Sequence, residues 1–281
     1  MNHKTLILVQ CRDAVGLVSK IAHVLAAREM NITAMREFAD EGEQQFFSRI
    51  ACTGPDAPDE NALLKDLKET LPEGANVLVN PRPEKKVAVL VTKEYHCLGD
   101  ILTRHFFKTL GAQVCCVIGN HDHLKTFTEQ FSIPFHHISH EGHSPEEFEA
   151  LILKTLAPYE PDYLVLAKFM RILSPGFVDR YQQRIINIHH SFLPAFMGAH
   201  PYRKAFERGV KLIGATAHFV TSDLDQGPII TQQTTPVNHN LDVKDMVVAG
   251  KGIEKAVLNR ALQLVFQDRV FVSGNKTVVF E

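Results

Sequence analysis

KVAVLVTKEYHCLGDILTRHFFKTLGAQVCCVI, residues 86–118, is the stretch on which the fold turns. Residues 86–92 form an apolar run bounded by charge, the pattern of a strand covered on both faces. A helical segment near 98–110 follows, and 113–118 is a second apolar strand. The rhythm then repeats. Strands are expected at 134–138, 162–167 and 185–188, with helices near 122–130, 145–156 and 175–181. Strand and helix in alternation predict an α/β fold with a doubly wound, mostly parallel sheet joined by right-handed crossovers. From 212 to 236 the chain is richer in β-branched residues, and LIGATAHFV and IITQQTTPV read as an antiparallel extension. A long helix at 242–266 and a hairpin around Gly274 and Asn275 close the chain.

Upstream the pattern differs. TLILVQC (5–11) reads as a strand and Ile21–Arg28, after Gly16, as a helix. NITAMREF (31–38) and QFFSRIACT (45–53) are joined through Asp40, Glu41 and Gly42, a hairpin connection. Asn61–Leu71 reads as a second helix and Ala75–Val79 as a last strand. The order βαββαβ in one short segment is the ferredoxin-like plan. Pro81, Arg82, Pro83 and Glu84 look like a linker, so the expected domains are 1–81 and 86–281 about a linker at 82–85.

A length of 281 residues suits about two domains. Apolar residues are 45% and charged residues 22%, enough for a packed core and against disorder. Thirty Lys and Arg stand against 32 Asp and Glu, which gives no electrostatic case for binding nucleic acid or adhering to a membrane. No apolar run approaches bilayer length, and the N-terminus lacks the marks of an export signal. Five cysteines, an odd number without C-x-x-C spacing, fit reduced thiols in a cytoplasm.

Cofactor fingerprints fail. The turn TKEYHCLGD after the first strand of the second domain lacks the glycines that let a pyrophosphate approach the backbone. GNKT at 274–277 lacks the first glycine of a nucleotide-binding loop and precedes a strand. Fifteen histidines raise the question of metal, but His136 with His137 and His189 with His190 are strand neighbours facing opposite ways. Neither a metal nor a nucleotide cofactor is expected.

The chemistry gathers in IINIHHSFLPAFMG (185–198), a strand running out into a polar loop. Alternation puts Asn187 and His189 on one face, at the carboxyl end of a strand where open α/β sheets bind ligands. Asp225 follows in HFVTSDLDQGPII (218–230), at a loop tip between two expected strands.

AKFMRILSP (167–175), NIHHSFLPAF (187–196) and HFVTSDLDQGPII, in this order and spacing, resemble the folate-dependent formyltransferase domain. With the ACT-like domain ahead of it, the chain resembles the formyltetrahydrofolate deformylase family over essentially its whole length. The resemblance implies that Asn187, His189 and Asp225 are catalytic. It also implies that Met170, Arg171, Ile172 and Leu173, with Thr221, Ser222, Asp223 and Leu224, hold the pterin, largely through backbone groups. Asn187 N–H and protonated His189 would stabilise an oxyanion, about 3–4 kcal/mol for one good donor. Asp225 would accept a proton from the nucleophile, directly or through water.

Transferases acting on glycinamide ribonucleotide have a glycine-rich phosphate loop where this chain has EYHCLGDIL, Glu94–Leu102. Its absence favours water as acceptor: 10-formyltetrahydrofolate would give formate, for purine biosynthesis and one-carbon balance, and tetrahydrofolate. His190, Ser191 and the GAHPY run at Gly198–Tyr202 also look like the hydrolytic version. The alternatives are transfer to an amine, or a catalytically idle amino-acid sensor. RDAVGL (12–17) resembles an ACT effector loop, in which Asp13 and Gly16 would meet an amino acid, glycine or methionine first; the plain reading is a tight turn with Asp13 capping the helix. A homodimer or homotetramer built partly through residues 1–80 is expected.

Overall fold

The computed structural model describes residues 3–81, 84–195 and 201–281. By contacts the chain divides into two compact units, Met1–Pro83 with Gln267–Glu281, and Glu84–Phe266.

The first unit runs β1 (His3–Arg12), α1 (Leu17–Ala27), β2 (Asn31–Asp40), β3 (Gln45–Gly54), α2 (Glu60–Thr70) and β4 (Asn76–Val79). Its sheet has the order β2-β3-β1-β4, and all three pairings are antiparallel, as the βαββαβ reading requires. Alternation divides each strand between two cores. Ile7, Val9 and Cys11 of β1 meet Phe46, Ile50 and Cys52 of β3 beneath Ile21, Leu25, Leu63 and Leu67 of the helices. Leu8 and Phe47 point the other way, onto Phe271 and Phe280. Asp40 Oδ1 accepts from Gly42 N and Glu43 N, the short-range bonds that close the β2–β3 turn.

In the second unit β5 (Lys85–Val91), α3 (His96–Phe106), β6 (Ala112–Gly119), α4 (Lys125–Glu129), β7 (Phe135–His137), α5 (Pro145–Leu156), β8 (Tyr163–Leu166), α6 (Pro175–Arg180) and β9 (Ile185–His189) alternate as expected. Then come α7 (Pro201–Arg208), β10 (Leu212–Phe219), β11 (Ile229–Pro236) and α8 (Val243–Phe266). The seven-stranded order is β11-β10-β9-β8-β5-β6-β7, parallel from β9 to β7, with β10 and β11 antiparallel. Chain order reverses at β5, so the carboxyl ends of β5, β8 and β9 open beside the switch point where such sheets bind ligands.

Two readings are corrected. Residues 267–281, assigned from sequence to the second domain, pack on the first: β12 (Val270–Ser273) and β13 (Lys276–Val279) lay Phe271 and Phe280 on the sheet face opposite the helices. Their amphipathic hairpin finds its apolar partner there, and Arg49 Nε donates to Asp268 O at 3.1 Å. Helix α7 had no place in the sequence reading, because its buried residues, Tyr202 and Ala205, make too short an apolar stripe. No helix among the described residues is long and apolar enough to cross a membrane.

Candidate active site

Asn187 and His189 leave β9 on one face, with Ile188 buried behind them. Antiparallel pairing sets His218 of β10 opposite Asn187 and Thr216 opposite His189. Thr216 Oγ1 donates to Ser191 O (2.8 Å) and accepts from Leu193 N (3.0 Å), fixing the chain where it leaves the strand. His218 Nδ1 lies 2.8 Å from Phe219 O, which can only accept, so Nδ1 carries the proton. Its Nε2 therefore accepts from Asn187 Nδ2 at 3.2 Å, and the amide is oriented by a buried, neutral imidazole whose pKa burial pushes down.

The loop after β10 returns Asp225 to the same place. Gly227 makes this possible: a Cβ there would stand 1.8 Å from Phe219 O, so the chain closes on itself only with glycine. Asp225 takes a left-handed φ of 57°. Its Oδ1 lies 3.2 Å from His189 Nδ1 and 3.8 Å from His218 Nε2. The hydrogen bond from His189 lowers the Asp225 pKa, against the opposing effect of burial. His189 Nε2 is buried and has no hydrogen-bond partner among the described residues, a polar atom left for a ligand. Asn187, His189 and Asp225, 38 positions apart at their extremes, are thus one cluster.

Beyond β8 the chain turns at Lys168, φ 63°, into the segment 169–173. Phe169 and Leu173 anchor it in the core, while Met170 and Ile172 stand 58% and 73% exposed. Thr92 Oγ1, just past β5, accepts from Met170 N at 2.9 Å. Met170, Arg171, Ile172, Leu173, Thr221, Ser222 and Leu224 line one crevice with the cluster. Asp223 does not line it; its carbonyl instead accepts from Thr221 Oγ1 and Gln226 N, which shapes the loop.

His218 and Lys168 line the same crevice and were not selected from sequence; His190, noted there as resembling the hydrolytic version, lines it too. His218 was within reach of that reading, since it opens the quoted stretch 218–230 and sits in register with Asn187. His190, beside His189, has its pKa pushed down to about 4, mainly by burial and further by the Lys168 ammonium. The GAHPY run falls mostly outside the described residues, as does Phe196. In the first unit Gly16 is the N-cap of α1 at φ 84°, with no side-chain cap bond, so it serves the turn while Asp13 does not cap the helix.

A crevice at the carboxyl edge of a doubly wound sheet, with an amide, an imidazole and a carboxylate around one point, defines the formyl transferase class, and the formyl transferase family model matches residues 85–262. The ACT domain model matches residues 5–71. The chain is 48% identical to a formyltetrahydrofolate deformylase of Haemophilus influenzae, across 99% of this chain and 100% of that one. A crystal structure of the formyltetrahydrofolate deformylase of Pseudomonas syringae pv. tomato superposes with a TM-score of 0.93 at 37% identity, covering 99% of this chain and 94% of that one. Glycinamide ribonucleotide transformylase 1 of Symbiobacterium toebii reaches a TM-score of 0.68 at 28% identity, over 72% of this chain and 96% of its own. The chain belongs to the formyltetrahydrofolate deformylase family.

Proposed function

We propose that this protein hydrolyses 10-formyltetrahydrofolate to formate and tetrahydrofolate, and that the crevice bounded by Asn187, His189 and Asp225 is where it does so. The observation that carries the reading is the meeting of these three side chains, one of them with an unpartnered ring nitrogen, in a chain whose kinship with the deformylases runs end to end. Water adds to the formyl carbon and its carbonyl oxygen becomes an oxyanion. Asn187 Nδ2 has one hydrogen committed to His218 and a second to offer that oxygen; the imidazolium of His189 offers Nε2–H. Asp225 accepts the proton that water loses and passes it to N10, so that the C–N bond breaks as that nitrogen is protonated. The segment Met170–Leu173 and the loop Thr221–Leu224 hold the pterin.

The test is to incubate purified protein with 10-formyltetrahydrofolate and no amine. Formate and tetrahydrofolate in equal amounts support hydrolysis, a requirement for amine supports transfer, and no turnover supports an idle sensor. The reaction as drawn uses neither metal nor nucleotide, so dialysis against a chelator should leave turnover unchanged. Formate made this way would feed purine biosynthesis.

The first unit is assigned to assembly and to amino-acid binding. Among the described residues its outer strands β2 and β4 have free edges, surfaces that proteins usually pair, and Phe38 and Leu78 on them are 46% and 48% exposed. Asp13 and Gly16 are the residues proposed to meet glycine or methionine. A reducing, cytoplasmic setting suits five free cysteines.

A further inference from the structure

The first unit carries a group of charges that neither catalysis nor assembly uses. Arg36 of β2 and Arg49 of β3 are direct partners in the antiparallel register, so both side chains leave the sheet on one face. Phe47, two residues before Arg49, packs on Phe271 and Phe280, which makes this the face that carries the hairpin of β12 and β13. Arg49 is turned into the start of that hairpin: its Nε donates to Asp268 O at 3.1 Å and its Nη2 to Gln267 O at 3.3 Å. Arg269 is the next residue along. Burial lowers the pKa of the Arg49 guanidinium and the charge of Arg269 lowers it further, with Asp268 opposing, so the two cations stand close together.

Arg28 and Arg104 each hold an aspartate. Arg36, Arg49 and Arg269 do not: among the described residues none of the three has an ion pair with a carboxylate. Arg269 Nε is moreover buried with no hydrogen-bond partner. Like charges directly opposite one another across a strand pair are destabilising, and a buried donor left unpaired costs stability too. Packing accounts for Arg49, whose bonds tie the hairpin to the sheet. It leaves Arg36 and Arg269 without a role.

We propose that Arg36, Arg49 and Arg269 form an oxyanion site on the hairpin face of the first unit, and that its ligand is a phosphate group, free or as an ester. A planar carboxylate presents two oxygens to one guanidinium fork. A phosphate carries nearly two negative charges, with acceptor oxygens arranged around a tetrahedron, so forks approaching from the sheet and from the hairpin each find an oxygen. The bound anion would bridge β2 and β3 to the start of the hairpin. This site uses neither the reacting crevice nor Asp13 and Gly16, and it does not rest on the hydrolytic reading.

Inorganic phosphate, glycerol 3-phosphate and succinate are titrated calorimetrically into the full-length protein at low ionic strength, with circular dichroism as the check of folding. At least one of the two phosphates should bind at millimolar concentration, and the tighter of them tells whether the site takes the free ion or an ester. Succinate, with its charge on planar groups, should bind at least about tenfold more weakly. Arg36→Gln and Arg269→Gln should each weaken phosphate by about tenfold or more, and together abolish it. Phosphate should raise the melting temperature of the wild type and leave that of the double variant unchanged. Arg36 is exposed and makes no side-chain bond among the described residues, so Arg36→Gln carries the test even if Arg269→Gln does not fold. No binding heat from either phosphate overturns the proposal, as does succinate bound as tightly. A folded Arg36→Gln with wild-type phosphate affinity overturns it too, since the anion then sits elsewhere on the protein.

Discussion

Asp225→Asn keeps the size of the side chain, and with it the contact to His189, but withdraws the proton acceptor. Its turnover should fall by about a hundredfold to a thousandfold while folate binding persists. Asn187→Ala, on a strand end whose stability depends on its buried neighbours, should lose a similar factor. A variant retaining more than about a tenth of wild-type turnover would remove that residue from the chemistry. His218 acts through Asn187 and is a positioning residue. His218→Leu should lower kcat with little change in KM, by less than the loss in Asn187→Ala, and an unchanged kcat would show that the amide needs no support. Asn187, His189 and Asp225 stood out as candidates by strand alternation and loop position, and their roles came from the resemblance of the motifs that hold them. The place of Lys168 was not legible, because the charged group it meets, Glu254, lies far away in sequence.

At the scale of an element, the turn between β10 and β11 depends on Gly227. Gly227→Ala places a methyl group against the Phe219 carbonyl, which should cost about 1–3 kcal/mol by urea denaturation and displace Asp225, so that turnover falls further than stability alone explains. The exit of β9 carries a pH signature. His190 has a folded pKa of about 4 against an ordinary 6.5, so its contribution to stability is complete above pH 6.5 and is lost as pH falls toward 4. The amount is on the order of 3 kcal/mol. His190→Gln should flatten the fall in melting temperature between these pH values, and an equally steep fall would place the titrating group elsewhere. The strands were readable because continuous apolar runs are distinctive. Helix ends were less so: the expected 98–110 and 122–130 are His96–Phe106 and Lys125–Glu129, and Lys108 at φ 59° marks where the first of them has already stopped.

For the molecule as a whole, the last fifteen residues show what periodicity cannot reveal. A short hairpin reads correctly as a hairpin, but which sheet it covers is a matter of long-range packing. Phe271→Ala should destabilise the first unit by about 3 kcal/mol, since it opens the core formed with Leu8, Phe47 and Phe280. The helix-opposite face of that sheet is thus partly covered within the chain, so assembly is expected through the β2 and β4 edges. Removing residues 1–83 together with 267–281 should lower the number of chains per particle seen by light scattering, whereas an unchanged number would move the interface to the second unit. Glycine and methionine should be titrated calorimetrically with and without folate. A coupling of about 1–3 kcal/mol between the sites would appear equally in both affinities, and Asp13→Ala should weaken the amino acid directly. Silence from both would leave the first unit to assembly alone.

The central claim is that water, not an amine, receives the formyl group at the Asn187, His189 and Asp225 cluster. The direct measurement is formate released from 10-formyltetrahydrofolate by the purified protein without amine, with Asp225→Asn run in parallel. The account predicts one formate for each tetrahydrofolate formed by the wild type and a loss of about a hundredfold or more in the variant. Turnover that appears only when an amine is added, or that survives in Asp225→Asn, would contradict it.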